Sequence, residues 1–272
     1  MQRDQLSTLR ADVLERARSA FAHMDEISEQ NTKKVLDVMR ACRVSDVHFN
    51  VSAGYAYSDL GREKLDEVYA RVFGAERALV RTQFVSGTHA LAAVLFGLLR
   101  PGDRLISITG TPYDTMQTVI GWAHESCGSL KEFGVSYDEL PLREGGVDLD
   151  SIVHVMTPET KIALVQRSRG YSEREPLSIA DIRAVSARIK AANPNCIVFV
   201  DNCYGEFVET EEPTAIADVD IMAGSLIKNP GGGLAPTGGY IAGRSDLVEM
   251  ASYRLTAPGM GDELGASLIS NR

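Results

Sequence analysis

Between residues 77 and 243 the chain alternates short, continuous apolar runs with stretches of helical periodicity, and this pattern limits the possible folds more than any other feature. The apolar runs are RALV (77–80), DRLISI (103–108), KIALVQ (161–166), CIVFVD (196–201), DVDIMAGS (218–225) and GGYIAG (238–243). Between them lie helical patterns in GTHALAAVLFGLL, around Met116–Trp122 and near 178–192. Runs this short, and apolar on both faces, read as strands buried from both sides. Strands that alternate with helices imply βαβ units, hence an α/β fold with a mostly parallel sheet covered on both faces. Ahead of this region, residues 4–42 place Leu6, Leu9, Val13, Leu14, Ala17 and Phe21 at helical spacing with few breakers. The segment HFNVSAGYAYSDLGR is rich in small and turn-forming residues and reads as loop, followed by a helix over Glu63–Phe73.

The 272 residues suffice for one large domain with a substantial core, or for one large domain and a fragment of another. A formal net charge of −9, with Lys and Arg scattered, leaves no basic footprint for nucleic acid. No apolar run approaches the roughly 20 residues that a membrane span requires, and the charged N-terminus does not resemble a signal peptide. Cys42, Cys127, Cys196 and Cys203 are far apart and lack metal-ligand spacing, so they read as structural thiols. Together these features predict a reduced, cytoplasmic enzyme with no metal, membrane or nucleic-acid partner.

In an open α/β sheet, ligands bind at the carboxyl ends of the strands. Three sites fall there. Ser86-Gly87-Thr88 opens an apolar helix, where free backbone N–H groups and the helix dipole favour an anion. Asp201 ends the run CIVFV, and Lys228 follows DVDIMA beside a run of glycines. Taken singly, each also fits a plainer role: an N-cap, a turn cap and a surface lysine. Gly231, Gly232 and Gly233 do not form a phosphate loop of the GxxxxGK[ST] kind. Taken in order, an anion cradle, an acid and a lysine are what pyridoxal 5′-phosphate needs: a phosphate anchor, a partner for its pyridinium nitrogen and an amine for its aldehyde.

The blocks SGTHA, TGTPYDT, QRSRGY, DNCYGEF and GSLIKNPGGGLAPTGGYIAG resemble the methionine γ-lyase-like family often labelled aluminium resistance proteins, relatives of the cystathionine lyases. The resemblance runs from about Asn50 to Arg272. It implies the aspartate-aminotransferase architecture of fold-type-I pyridoxal-phosphate enzymes. Residues 1–60 would form an N-terminal helical segment and loop, 61–255 the cofactor-binding large domain, and 256–272 the start of a largely missing C-terminal domain. In this reading Lys228 holds the cofactor covalently, Asp201 pairs with the ring nitrogen, and Ser86, Gly87, Thr88 and Ser225 receive the phosphate. Tyr113 stacks on the ring and protonates the leaving group. Tyr55, Tyr57 and Arg62 reach toward a neighbouring subunit's phosphate in a homodimer or homotetramer. His89 packs on its helix, while Arg167 and Arg169 are candidates to meet anionic groups. The arginine that grips the substrate carboxylate in related lyases belongs to the C-terminal domain, and no residue here takes that role. The implied reaction is carbon–sulfur lysis of a sulfur-containing amino acid, releasing thiol, ammonia and a 2-oxo acid. The residues leave open another pyridoxal-phosphate reaction on amino acids (transamination, decarboxylation or β-substitution) and a non-catalytic, cofactor-binding stress protein.

Overall fold

The computed structural model describes residues 2–50, 59–122 and 127–262. The apolar spacing over 4–42 forms one long helix, α1 (Gln2–Ala41). Its C-terminal half lies on the body of the protein, with Val35 and Val38 against the core. The Asn31 amide donates to the backbone carbonyls of Phe207 (3.0 Å) and Glu209 (3.1 Å). Its N-terminal half leaves Leu6, Leu9, Val13 and Phe21 exposed, as is Met24 just beyond. Helix α2 (Leu60–Phe73) begins three residues earlier than its apolar pattern, because the Asp59 side chain caps it by accepting from Arg62 N at 2.9 Å.

The six apolar runs form strands β1 (Arg77–Arg81), β2 (Arg104–Ser107), β4 (Thr160–Gln166), β5 (Ile197–Asp201), β6 (Ile221–Ser225) and β7 (Gly239–Gly243). Strand β3 (Ser136–Glu139) adds a polar edge that pairs with β2. The sheet order is β1-β7-β6-β5-β4-β2-β3. Pairs β2–β3, β2–β4, β4–β5 and β5–β6 are parallel, whereas β7 runs antiparallel to both neighbours. Residues 226–238 contain no α-helix. Without a crossover helix the chain turns back after β6, and β7 returns in the opposite direction. Helices α3 (Gly87–Leu98), α4 (Asp114–Ile120), α5 (Ile152–Val155), α6 (Ile179–Ala192) and α7 (Ser245–Ser252) complete the architecture.

Each central strand divides its side chains between two cores. Ile197 and Phe199 of β5 join Ile221 and Ala223 of β6 and the buried residues of α3. Val198, Val200 and Met222 join Tyr240, Phe73 and the α6 residues Ile182, Val185 and Ile189. The two-residue period of a strand therefore turns Asp201 and Ser225 toward the α3 side of the sheet. Register sets Gln166 and Asp201, at the carboxyl ends of β4 and β5, level with Ala223 of β6. The fold thus brings residues from well-separated parts of the chain to one end of the sheet, beside the start of α3.

Candidate active site

A cavity of ≈ 870 Å³ opens at this end. Its lining includes Ser86, Gly87, Thr88, Tyr113, Asp201, Ser225 and Lys228, seven of the positions singled out in the sequence. Arg167 and Arg169 line it as well. Tyr55 and Tyr57 lie outside the described residues. Arg62 lines a second cleft of ≈ 560 Å³ with Asp66, Arg77 and Arg81, which shares no lining residue with the first.

Helix α3 is capped by Ser86, whose side chain accepts from His89 N at 3.1 Å. Amides at the start of a helix have no partner within it, and Gly87 and Thr88 line the cavity. A Cβ on Gly87 would lie 3.0 Å from Ser225 Cβ and 3.2 Å from Cys203 Sγ, a tight fit, so glycine lets the α3 backbone sit this close to β6 without displacing its neighbours. Ser225 is 1% exposed, and its Oγ has no hydrogen-bond partner among the described residues. Such a buried hydroxyl is normally satisfied. Here it stands beside free amides at a helix N-terminus, which suits an anionic oxygen.

Asp201 is 3% exposed. Its Oδ1 accepts from Cys203 N at 3.0 Å, and no arginine or lysine forms an ion pair with it among the described residues. Burial pushes its pKa up to about 6, against the lowering effects of the Cys203 backbone and thiol and of the Lys228 charge. A carboxylate so placed is complemented by a cationic N–H donor. Tyr113, just before α4, is half-buried; its hydroxyl lies 3.2 Å from Thr88 Oγ1, and its backbone N–H donates to Gln166 Oε1 at 3.2 Å. Burial, then the charge of Asp201, raises the Tyr113 pKa well above its ordinary value, so the phenol keeps its proton. Burial likewise raises the Cys203 thiol pKa, which leaves it a poor nucleophile. His89 packs edge-on against Phe84 with ring centroids 5.4 Å apart, and Val85 N donates to its Nδ1 at 3.3 Å.

The structure adds residues that sequence reasoning missed. The Lys228 amine donates to the Tyr204 hydroxyl and stands 3.9 Å from the centroid of that ring. Tyr204 holds φ at 69°, a left-handed conformation that costs a side-chain-bearing residue about 1 kcal/mol or more. Asn229 Nδ2 pins the turn by donating to the carbonyls of Tyr204 (3.1 Å) and Glu206 (2.9 Å). Beneath it, Tyr240 donates to Glu206 Oε1 (2.8 Å), Asn202 Nδ2 donates to Glu212 Oε2 (3.0 Å), and Arg167 donates to Asn202 Oδ1 (2.9 Å). Only the position of Tyr204 and Glu206 inside DNCYGEF hinted at these roles. A positive φ and a buried carboxylate leave no periodic signature.

Comparison with known proteins places this geometry in context. The family model for methionine γ-lyase matches residues 6–272. A Listeria monocytogenes structure, provisionally named a cystathionine β-lyase involved in aluminum resistance, is 52% identical with a TM-score of 0.93, covering 97% of this chain and 65% of that one. A Clostridium novyi structure named a carbon-sulfur lyase involved in aluminum resistance is 48% identical with a TM-score of 0.92, covering 97% of this chain and 63% of that one. The L-methionine γ-lyase of Pseudomonas putida is 29% identical over 217 residues, covering 79% of this chain and 48% of that protein. The chain thus spans from about half to just under two thirds of the length of these relatives. Its sheet and flanking helices have the architecture of the fold-type-I pyridoxal-phosphate enzymes. By its match along nearly the whole sequence, the chain belongs to the methionine γ-lyase family.

Proposed function

We propose that the chain binds pyridoxal 5′-phosphate and serves a carbon–sulfur lyase acting on a sulfur-containing amino acid, releasing thiol, ammonia and a 2-oxo acid. The observation that carries this reading is the convergence in one cavity of Lys228, the buried Asp201 and, beside the α3 N-terminus, a Ser225 hydroxyl that has no partner among the described residues. These residues have the donor and acceptor chemistry that the cofactor requires. The α3 amides of Gly87 and Thr88, with the Ser225 hydroxyl, would receive its phosphate. Asp201 would hold a proton on the ring nitrogen, and Tyr113 would lie against the ring. When bound, pyridoxal phosphate supplies a sink for the electrons left on the substrate Cα after proton loss.

The remaining steps belong to the protein. The Lys228 amine, held by the ring and hydroxyl of Tyr204, takes the Cα proton as general base. Asp201, largely buried, stays available as the counter-ion for a ring N–H⁺. Tyr113, protonated at neutral pH, delivers a proton to the departing sulfur. The family match and the names of the relatives support the lyase reading over transamination.

The test is an amino-acid panel on the chain supplied with pyridoxal phosphate, and on a version extended to the full length of the relatives. Thiol, ammonia and 2-oxo acid are measured separately. Equimolar release of all three from a sulfur amino acid is expected. Product formation that requires a second keto acid, with no thiol released, would overturn the lyase reading in favour of a transaminase.

A further inference from the structure

The turn at 202–207, which leaves the end of β5, holds two side-chain-bearing residues in left-handed backbone: Tyr204 at φ 69° and Phe207 at φ 61°. Such conformations persist where the surroundings over-determine them. Asn229 grips the turn from the Lys228 side, through the carbonyls of Tyr204 and Glu206. Glu212, 2% exposed, grips it through Asn202 Nδ2 (3.0 Å) and Phe207 N (2.8 Å), both of which donate to its carboxylate.

Arg167 completes the brace. It follows β4, is 3% exposed, and its backbone N–H donates to Asp201 O at 3.0 Å. Its Nη1 reaches the turn on either side of Tyr204, donating to Asn202 Oδ1 (2.9 Å) and Gly205 O (2.8 Å). Two anchors outside the turn fix the guanidinium. Nε donates to Leu177 O (3.3 Å), and Nη2 donates to Glu209 Oε2 (2.7 Å), which also accepts from Ile179 N (2.8 Å) at the start of α6. The fit against the turn is close: a Cβ on Gly205 would collide with Arg167 Cδ and lie 2.8 Å from its Nε. A buried cation carries a desolvation cost that its partners must offset, and here those partners include both flanks of Tyr204.

Asp201 is held without this brace, since it lies within the sheet in register with Gln166 and Ala223. Tyr204 lies three residues past the end of β5, outside the sheet. Its hydroxyl accepts from the Lys228 amine, which stands 3.9 Å from the centroid of its ring. The contacts that fix Asn202 and Gly205 therefore also fix where Tyr204 meets Lys228. We propose that Arg167 is a positioning residue that acts through the 202–207 turn to hold Tyr204 against the Lys228 amine. Its bearing on catalysis rests on the reading of Lys228 as the cofactor lysine, whereas the positioning itself is measurable without cofactor. An arginine fork spans two acceptors at once, which the single ammonium of a lysine does not reproduce.

The test is trace acetylation of the cofactor-free chain with acetic anhydride, quantified at Lys228 by peptide mapping against Lys131, which is exposed and outside the cavity lining. Tyr204→Ala releases the amine and should speed acetylation of Lys228 by about threefold or more, the scale of an exposed cation–π contact. Arg167→Met should speed it by a similar factor and add nothing further in the Tyr204→Ala background, as expected of residues that act through one contact. Arg167→Lys should fall between wild type and Arg167→Met; it keeps the buried charge and carries the same cycle if circular dichroism shows Arg167→Met to be unfolded. A Lys228 rate unchanged by Tyr204→Ala or by the folded Arg167 variants, or effects that multiply in the double variant, would overturn the assignment. Borohydride trapping of pyridoxal phosphate on the same samples separates the two readings. An untrapped wild type with the expected acetylation pattern removes the cofactor reading and leaves the brace standing; trapping at Lys228 with no Arg167 effect does the reverse.

Discussion

Asp201 carries a carboxyl group to a place where it is only 3% exposed and where Cys203 is its only hydrogen-bond partner among the described residues. Burial raises its pKa from 3.8 to about 6, so the folded chain binds this proton more tightly than the unfolded chain does. Stability from this group is therefore complete below about pH 3.8 and is lost as pH rises through 6. A difference of this size between folded and unfolded chain corresponds to about 3 kcal/mol. In the cofactor-free protein, Asp201→Asn should melt at a higher temperature than wild type at pH 8, with the gap narrowing as pH falls toward 5. A constant gap across that range would show that the carboxyl is not buried as described. The same substitution should leave cofactor binding detectable but cut turnover in an extended, active version by at least about a hundredfold, because a neutral amide does not hold a ring N–H⁺ as a carboxylate does. Near-normal turnover would remove Asp201 from its proposed role.

The element that matters most is the junction of α3, β5 and β6. Gly87 permits the close approach of α3 to Ser225. Gly87→Ala should therefore lower cofactor affinity by tenfold or more, on the order of the 1–3 kcal/mol typical of overpacking, while circular dichroism stays that of the folded chain. Unchanged affinity would mean that the cradle lies elsewhere. Under the turn after β5, burial lifts the pKa of Glu206 to about 8 from 4.5. The sign is the same as for Asp201: the neutral acid suits the fold, and stability falls as pH rises from 4.5 toward 8. Glu206→Gln should accordingly match or exceed the wild-type melting temperature at pH 9, whereas Glu206→Ala should lower it by removing the acceptor for Tyr240. A Gln variant that melts lower at pH 9 would contradict a neutral Glu206.

The same elements differ in how far the sequence reveals them. Strands β4, β5 and β6 were legible because both of their faces are buried and the apolar runs are unbroken. Strand β3 was not, because SYDE at a sheet edge has little apolar content to signal it. The direction of β7 was hidden for another reason: it depends on what the connection lacks, a helix in 226–238. In the site, Lys228, Asp201 and Ser86-Gly87-Thr88 stood out as polar residues beside apolar strands and a helix start. Tyr204 did not, since its approach to Lys228 depends on a left-handed turn. Arg167 and Arg169 looked equivalent in the sequence, and only the Arg167 network separates them.

At the scale of the whole molecule, α1 holds the body through Asn31 and Lys34 while its first half presents Leu6, Leu9, Val13 and Phe21 to solvent. We propose that the protein is a homo-oligomer. A dimer or larger assembly is expected in sedimentation velocity, and the double variant Leu9→Glu/Phe21→Glu should shift it toward monomer; a wild-type monomer at micromolar concentration would refute the assembly. The central claim is narrower, that one cavity joins a cofactor to Lys228. The most direct measurement is borohydride reduction of the chain incubated with pyridoxal phosphate, followed by peptide mapping. The account predicts one reduced adduct, on Lys228, absent from Lys228→Ala. An adduct on another lysine, or equal labelling of Lys228→Ala, would contradict it.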